Sequence, residues 1–238
     1  MVDIHSHILP MVDDGAKSWD IAVEMVKMAQ CDGVTHMVAT PHANYEYQYN
    51  RESHTALLAE LQAKVGNGIQ LILGCDFHLS FDNIEDAIVH NHRYTIGDTR
   101  YILIELSDFS IPPQVPNMLF SLTSKGLIPI LTHPERNPML QKNPQRVADW
   151  VAMGMLVQIT ASAFLGKWGR TVEKLAHWYV EKELIHVIAS DAHSTNHRNP
   201  VLSEARKAVA KTYGDAFATR LVETNPMAIV KNEPIPAV

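Results

Sequence analysis

The chain opens on Met1-Val2-Asp3-Ile4-His5-Ser6-His7-Ile8-Leu9-Pro10, in which apolar and polar residues alternate. This alternation predicts a β-strand, and residues i and i+2 of a strand point to the same face of a sheet. His5 and His7 would therefore present two imidazoles side by side, a spacing that suits a single metal ion. Two histidines alone prove little, so the interpretation depends on the groups that end the other strands.

Strands and helices alternate along the rest of the chain. Apolar runs predict six further strands, at residues 34–40, 69–74, 100–106, 127–131, 155–160 and 185–189. Periodicity and end signals predict helices at about 18–30, 51–65, 117–125, 144–153, 168–182, 201–213 and 215–224, with Ser18 as the first N-cap. Residues 80–98 are the least periodic and are predicted as a short helix and a loop.

About seven strands that alternate with helices indicate parallel βα units and an α/β fold. No linker or break in composition divides residues 1–238, so we predict a single domain whose last eight or so residues form a loose tail. A distorted seven-stranded barrel and an open doubly wound sheet both fit the pattern. Ionisable residues at nearly every strand end favour the barrel, because barrel strand ends converge on one mouth.

Composition argues against several classes of function. With 20 Lys and Arg against 26 Asp and Glu, the net charge of -6 disfavours a broad electrostatic grip on nucleic acid. No apolar run approaches the roughly 20 residues of a membrane span, and the N-terminus lacks the features of a signal peptide. Cys31 and Cys75 do not form a disulfide framework, so we expect a cytoplasmic protein. The unusual number is 13 histidines.

Histidines and carboxylates stand at the ends of the predicted strands. The candidate metal ligands are His5, His7, Asp14, His42, Asp76, Glu105, His133, Asp191 and His193, with His78 as a further candidate. Any one of them alone fits a solvated or turn residue, but carboxylates directly after apolar strands are costly to bury unless paired or metal-bound. The mixed donor set suits zinc, manganese or iron rather than calcium. Nine groups exceed the needs of one ion, so two or three ions are expected.

The segment Thr132-His133-Pro134-Glu135-Arg136 adds a second kind of chemistry. An arginine beside a metal site is suited to bind phosphate oxygens, because its guanidinium donates two parallel hydrogen bonds. The alternative is that Arg136 pairs with Glu135 or with another surface carboxylate. We predict the phosphate role for Arg136.

Other phosphate and ester chemistries lack their motifs. Neither cysteine is followed six positions later by arginine, since Met37 and Phe81 stand there, and this excludes a Cys-x5-Arg phosphatase loop. The sequence has no Gly-x-x-x-x-Gly-Lys-Ser/Thr phosphate loop and no Gly-x-Ser-x-Gly elbow. Tyr45, Tyr47 and Tyr49 alternate after His42, where they fit loop packing better than an aromatic wall for a planar substrate.

Four segments together resemble the PHP (polymerase and histidinol phosphatase) superfamily. They are His5-Ser6-His7-Ile8-Leu9-Pro10 with Asp13-Asp14-Gly15, Ala39-Thr40-Pro41-His42, Thr132-His133-Pro134-Glu135-Arg136, and Ser190-Asp191-Ala192-His193. They occur in order and cover the chain almost end to end. Within the superfamily, the chain most resembles the bacterial metal-dependent protein-tyrosine phosphatases of the CpsB/CapC type, found with capsule and exopolysaccharide genes.

The resemblance implies a distorted seven-stranded barrel with a trinuclear metal site at its mouth, commonly manganese-dependent, with zinc or iron as alternatives. It assigns His5, His7 and Asp191 to the first ion, Glu105 and His133 to the second, and Asp14, His42 and His193 to the third. Asp76 would bridge the first two ions. The family has Glu at that position, and the Asp side chain is about 1.5 Å shorter. Monodentate ligation, or help from His78, is therefore the alternative to a bridge.

The resemblance also implies an activity, the hydrolysis of phosphotyrosine in proteins by a metal-activated water without a covalent enzyme intermediate. Arg136 would neutralise phosphate charge, and His42 or His193 would donate the proton to the leaving group. The expected substrate is a bacterial tyrosine kinase of capsule or exopolysaccharide biosynthesis. The alternatives are a PHP phosphoesterase for a small molecule such as histidinol phosphate, and a metal-stabilised binding module without turnover.

Overall fold

The computed structural model describes residues 1–235, the side chains of residues 81 and 82 excepted. Its strands are β1 (Val2–Ser6), β2 (His36–Ala39), β3 (His42–Ala43), β4 (Gln70–Leu73), β5 (Asp76–His78), β6 (Tyr101–Glu105), β7 (Ile128–Thr132), β8 (Leu156–Thr160) and β9 (Val187–Ala189). Its α-helices are α1 (Trp19–Cys31), α2 (Arg51–Val65), α3 (Phe81–Val89), α4 (Val115–Ser124), α5 (Pro138–Lys142), α6 (Gln145–Ala152), α7 (Arg170–Glu181), α8 (Ser203–Tyr213), α9 (Asp215–Thr219) and α10 (Asn225–Val230). A 3₁₀ helix covers Ala161–Leu165, and a π-helix covers Arg220–Thr224.

The strands pair in parallel and form two sheets. The first sheet has the order β1-β2-β4, and the second has the order β3-β5-β6-β7-β8-β9. One parallel bridge, between Ser6 and Ala192, links the end of β1 to the segment after β9. The predicted α/β fold with parallel strands is confirmed. The ladders of the described residues make two sheets rather than one, so the closed seven-stranded barrel stays a prediction.

The predicted strands at 34–40 and 69–74 are each followed by a second, shorter strand that carries a candidate ligand. β3 begins at His42 and β5 begins at Asp76, and these two residues face each other in register. Pro41 has no N–H to donate to a ladder, which explains the break between β2 and β3. Hydrogen bonds continue across both breaks, since the Gly74 N–H donates to Ala39 O over 2.8 Å and the Asp76 N–H to Pro41 O over 3.1 Å.

The apolar core has two parts, one on each side of the strands. The larger part packs the strands against the helices, and the smaller part is formed mainly by strand residues. In β6, Tyr101 and Leu103 belong to the smaller part, whereas Ile102 and Ile104 belong to the larger part. This alternation is that of a strand buried on both faces, and it places Glu105 in line with Tyr101 and Leu103.

Local signals explain where the helices begin. The Ser18 Oγ accepts a hydrogen bond from the Ile21 N–H and caps α1, as predicted. The helix predicted at 117–125 instead begins at Val115, because Pro116 is accommodated in the first turn. The helix predicted at 168–182 begins at Arg170, after Gly169 with its positive φ of 88°.

The C-terminal segment is attached to β6 as far as it is described. The Asn232 side chain accepts a hydrogen bond from the Arg100 N–H over 3.0 Å, and the Tyr101 hydroxyl donates to Glu233 O over 2.5 Å. The loose tail predicted for the last eight or so residues lies partly outside the described residues and stays a prediction. Among the residues described, we find no helix with the length and apolarity needed to cross a membrane.

Candidate metal centre

All nine predicted ligands meet at the carboxyl ends of the strands. They fall into four overlapping groups, in each of which the potential ligand atoms lie within 4.8 Å of one another. The groups are His7 with Asp14, His42 and His193; His5 with His7 and Asp76; His5 with His133 and Asp191; and His42 with Asp76 and Glu105. His78 belongs to none of these groups of described residues.

The His5 and His7 side chains lie side by side, as the alternating pattern of the first strand predicts. Their Nε2 atoms are 3.2 Å apart, and both side chains are buried. The pairing of β1 with β2 has an irregular register between Asp3 and Ser6. Such irregularities turn side chains locally, and this one includes His5 and directly precedes His7.

Asp76 belongs both to the group of His5 and His7 and to the group of His42 and Glu105. Its Oδ2 lies 3.5 Å from His5 Nε2 and 3.3 Å from His42 Nδ1, and its side chain is fully buried. The in-register pairing of β3 with β5 places Asp76 beside His42. The shorter side chain of Asp therefore still reaches both neighbouring groups.

Asp191 and His133 hold an unusual backbone conformation. Their φ angles are 52° and 33°, in the left-handed region that non-glycine residues seldom adopt. Residues with such strain cluster at functional sites. The Asp191 Oδ1 lies 3.4 Å from His5 Nε2, so this conformation brings its carboxylate to the first strand.

The grouping agrees in part with the ligand sets implied by the resemblance. Asp14, His42 and His193 lie together, as expected for the third ion. Glu105 groups with His42 and Asp76, whereas His133 groups with His5 and Asp191. Glu105 and His133 are nevertheless neighbours, with 3.7 Å between Oε1 and Nε2.

Two residues outside the predicted set orient these histidines. The His5 Nδ1 contacts Gln158 Oε1 over 3.0 Å, and the His7 Nδ1 contacts Asp13 Oδ2 over 2.7 Å. Such contacts fix the tautomer that leaves Nε2 free for a metal. For Asp13 the sequence signal was its position next to Asp14, and for Gln158 it was a polar residue inside the apolar strand β8.

Gly15 allows the loop with Asp13 to pack against the first strand. A Cβ at this position would lie 2.1 Å from His7 O and 2.5 Å from His7 Cβ. Both contacts are far shorter than van der Waals distance, so only glycine fits here. The Gly15 N–H in turn donates to Asp13 Oδ1 over 2.9 Å and holds that carboxylate in place.

Two arginines bind the same oxygen of Asp191. Arg136 Nη1 and Arg198 Nη2 both donate to Asp191 Oδ2, the latter over 2.7 Å. Arg136 therefore does not pair with Glu135, whose Oε1 accepts from the Thr160 N–H over 2.9 Å. The Nε atoms of both arginines are buried without a hydrogen-bond partner among the described residues. Arg198 was not predicted from the sequence, because it lies in a loop with no strand-end signal.

The three alternating tyrosines have different environments. Tyr45 is 97% exposed, whereas the Tyr49 hydroxyl donates to Gly74 O over 3.1 Å. The Tyr47 ring stacks on His42, with 5.9 Å between centroids and 16° between planes. The prediction of loop packing fits Tyr49, while Tyr47 lies against the metal centre.

Burial and neighbouring charges shift the pKa values of the carboxylates and imidazoles at the centre. Burial disfavours the charged form of Asp76, but the adjacent His5 and His42 hold its pKa well below the usual range. Burial and repulsion from Asp76 raise the pKa of Glu105 to about 8. Burial and the neighbouring His193 lower the pKa of His7 to about 3, which keeps this imidazole neutral as metal ligation requires.

The buried polar atoms at the centre fit a divalent metal. Within the part of the chain that the structure describes, four of them have no hydrogen-bond partner, namely His42 Nδ1, His193 Nε2 and both carboxylate oxygens of Asp76. Unpaired buried polar atoms are costly, and their clustering among imidazoles and carboxylates is what metal coordination would relieve. Nitrogen and oxygen donors in this mixture suit manganese, iron or zinc.

The family described as capsular polysaccharide synthesis, CpsB/CapC, matches residues 1–231. The CapC protein of Staphylococcus aureus is 38% identical over 208 residues, which cover 86% of this chain and 81% of that protein. The tyrosine-protein phosphatase YwqE of Bacillus subtilis is 32% identical and covers 99% of this chain, with 93% of its own length matched. The tyrosine-protein phosphatase CpsB of Streptococcus pneumoniae is 30% identical over 98% of this chain and 99% of its own.

Solved structures of other proteins have a similar fold. A chain from the crystal structures of YwqE and CpsB, described as unique metal-dependent tyrosine phosphatases, superposes with a TM-score of 0.90 at 31% identity. The match covers 99% of this chain and 96% of that chain. A phosphotriesterase homology protein from Escherichia coli matches with a TM-score of 0.62 at 10% identity, over 94% and 96% of the two chains. That more distant likeness concerns the fold alone.

Proposed function

The chain belongs to the CpsB/CapC family, and from this premise we propose that it hydrolyses phosphotyrosine in proteins at the metal centre formed by its strand ends. It is an enzyme, a metal-dependent tyrosine-protein phosphatase, and the family and activity predicted from the sequence are confirmed by its relatives. The observation that carries the proposal for this site is the convergence of nine ligand-type side chains beside two arginines.

The proposed cofactors are two or three divalent ions, manganese first, with zinc or iron as alternatives. The residues that would hold them are His5, His7, Asp14, His42, Asp76, Glu105, His133, Asp191 and His193. Asp76 is proposed to bridge, because it lies in the groups of both His5 and His42. When bound, such ions supply a nucleophilic water near neutral pH and neutralise charge on the phosphoryl group.

Arg136 and Arg198 are proposed to bind the oxygens of the substrate phosphate. Their guanidinium groups both bind Asp191 Oδ2, and each keeps a buried Nε that has no hydrogen-bond partner in residues 1–235. Two guanidinium groups can donate several charge-assisted hydrogen bonds to phosphate oxygens. Fixed donors of this kind stabilise the charge that develops in the transition state.

His42 or His193, whichever is not fully committed to an ion, is retained in the proposal as the proton donor to the leaving oxygen. Both lie beside the partly exposed Asp14, with their Nε2 atoms 3.4 and 3.3 Å from its Oδ1. This is the open edge of the centre, where a leaving group would depart. Tyrosine has a pKa of about 10, so its oxygen needs less protonation than the oxygen of an alkyl alcohol.

We propose that the strands form one distorted seven-stranded barrel and that residues 1–238 form one domain. β2 with β3 and β4 with β5 are successive pieces of two strand positions, which reduces nine strands to seven positions. Support for closure comes from the Asp191 N–H, which donates to His5 O over 2.9 Å, and from the His7 N–H, which donates to Ala192 O over 2.8 Å. These bonds join the segment after β9 to β1.

The physiological substrate is proposed to be a bacterial tyrosine kinase of capsule or exopolysaccharide biosynthesis, dephosphorylated in the cytoplasm. The family description, capsular polysaccharide synthesis, supports this assignment. The paucity of cysteine also fits a reducing compartment.

The substrate class is tested by comparing three phosphate esters at equal concentration with the metal-loaded enzyme. A phosphotyrosyl peptide, the matching phosphoseryl peptide and histidinol phosphate are assayed by phosphate release. We expect the highest kcat/KM for the phosphotyrosyl peptide. A higher value for histidinol phosphate would instead favour the small-molecule phosphoesterase, and no hydrolysis of any ester would favour the binding module.

A further inference from the structure

Two cavities that share lining residues lie beside the metal centre. One, of about 350 Å³, is lined by the candidate ligands Asp14 and His193, and the other, of about 590 Å³, is lined by Lys167 and Trp168. Arg198 and Asn196 line both cavities. We call the two together the Trp168 groove. It is far larger than a phosphate group needs, so it offers room for more of a substrate than the phosphoryl group.

The Trp168 groove is basic in a chain of net charge -6. Lys17, Lys167 and Arg198 line it, and Asp14, a candidate metal ligand, is the one carboxylate among its described lining residues. Lys167 Nζ lies 3.9 Å from Glu204 Oε2, but the two side chains are 40% and 59% exposed, and such a pair holds Lys167 weakly. Cationic side chains that lie close together raise the local concentration of an anionic partner.

Trp168 connects the groove to the phosphate-binding arginines. The Cζ atom of Arg136 lies 3.9 Å from the Trp168 ring centroid, and that of Arg198 lies 5.8 Å away. The Trp168 Nε1 donates to Ser162 Oγ over 2.8 Å, which fixes the ring. A substrate phosphate on the arginines would therefore place its neighbouring residues next to Trp168 and Lys167.

We infer that the Trp168 groove binds acidic residues that flank the phosphotyrosine in the protein substrate. The inference rests on the proposed function and adds a sequence preference to it. The occupant is a polypeptide segment rich in Asp or Glu, because its carboxylates complement Lys17 and Lys167, while Arg198 pairs with Asp191 and is proposed to bind the phosphate. A neutral or basic segment gains nothing from these cations, so the groove selects among phosphotyrosyl sites.

The test uses three phosphotyrosyl peptides that differ only in their flanking residues, which are Glu, Ala or Lys, together with free phosphotyrosine. The kcat/KM of each substrate is measured for the metal-loaded wild type and for the variants Lys17→Glu and Lys167→Glu. Lys125→Glu is the matched control, because Lys125 is exposed at the end of α4, away from the strand ends that form the site.

The wild type is expected to prefer the Glu-flanked peptide over the Ala-flanked peptide by about fivefold, the scale of exposed charge pairs, and less so at high salt. Lys167→Glu should abolish or reverse that preference while changing free phosphotyrosine turnover by less than about twofold. Equal kcat/KM for the three peptides, with free phosphotyrosine still hydrolysed, would overturn the inference and leave the proposed function standing. An equal effect of Lys125→Glu would also overturn it. Failure to hydrolyse any phosphotyrosine substrate would overturn both.

Discussion

The Nδ1 atom of His7 lies 2.7 Å from Oδ2 of Asp13, and this contact fixes which nitrogen of His7 faces the metal centre. A carboxylate only accepts hydrogen bonds, so the ring donates from Nδ1 and directs the lone pair of Nε2 toward His5. The same carboxylate accepts from the backbone N–H groups of Gly15 and His42, over 2.9 and 3.2 Å. One buried side chain thus holds the loop after β1 and the start of β3 together.

Asp13→Asn is expected to weaken metal binding without removing a ligand. Asn offers one acceptor oxygen in place of two and cannot satisfy all three donors, so His7 loses its fixed orientation. Loss of such an outer partner typically costs about 10- to 100-fold in metal affinity. Isothermal titration calorimetry of the chelated variant measures it, with the exposed Asp20→Asn as control. Wild-type affinity in Asp13→Asn would show that the contact has no role in metal binding.

Asp76→Asn is expected to lower the number of ions bound per chain. Asp76 lies in two ligand groups, and its two oxygens have no hydrogen-bond donor among the residues described, so a neutral amide weakens both groups together. Inductively coupled plasma mass spectrometry of dialysed protein gives the metal content, and circular dichroism checks the fold. Asp76→Glu, which restores the residue expected from the family resemblance, should retain the metal. Full occupancy of Asp76→Asn would argue against a bridging role.

Arg136→Ala is expected to lower kcat/KM for a phosphotyrosyl peptide by about 100-fold, because a fixed donor to the transition state is lost. Metal content at saturating metal should stay at the wild-type level, since Arg198 still holds Asp191 Oδ2. Arg136→Lys should recover part of the activity, as a point charge replaces a bidentate donor. The exposed Arg170→Ala is the control. Wild-type kinetics in Arg136→Ala would remove this residue from the active site.

His186 should make the chelated protein less stable as the pH falls. Burial and the nearby Arg220 lower its pKa to about 4, and its Nδ1 accepts a hydrogen bond from the Val157 N–H over 3.1 Å. The folded state therefore binds fewer protons than the unfolded state, in which the pKa is about 6.5. This contribution to stability is complete above pH 6.5 and is lost progressively as the pH falls toward 4.

Replacing His186 removes that dependence. Between about pH 7 and 4.5, the free energy of unfolding measured with urea should fall by about 2 kcal/mol more for the chelated wild type than for His186→Gln. The Gln side chain can still accept the hydrogen bond from the Val157 N–H. The exposed His92→Gln serves as the control and should behave as the wild type does. Parallel pH profiles for wild type and His186→Gln would contradict the assignment.

The sequence predicts those elements best whose ends carry local signals. α2 has the predicted bounds because Asn50 caps its first turn and Gly66 follows its last residue. The five-residue α5 was missed, since it is too short to show a helical period. β3 and β5 were missed because their partners are set by tertiary pairing and not by an apolar run.

The ligands were predictable because each stands close to the end of an apolar strand. Their grouping was not, because which strand ends adjoin depends on how β3 and β5 pair with each other and β5 with β6. Arg198 was missed for a related reason, since only the fold brings it to Asp191 beside Arg136. The local sequence thus identifies the candidate ligands, and the tertiary structure determines which of them lie next to one another.

Phosphate release from a phosphotyrosyl peptide by the chelated protein, titrated separately with manganese, zinc and iron(II), tests the central claim most directly. The chelated protein should be inactive, and at least one metal should restore turnover as about two to three ions bind per chain. Activity that persists after complete chelation would contradict the metal-dependent mechanism. Inactivity with every metal, despite ions bound at the site, would contradict phosphotyrosine as the substrate.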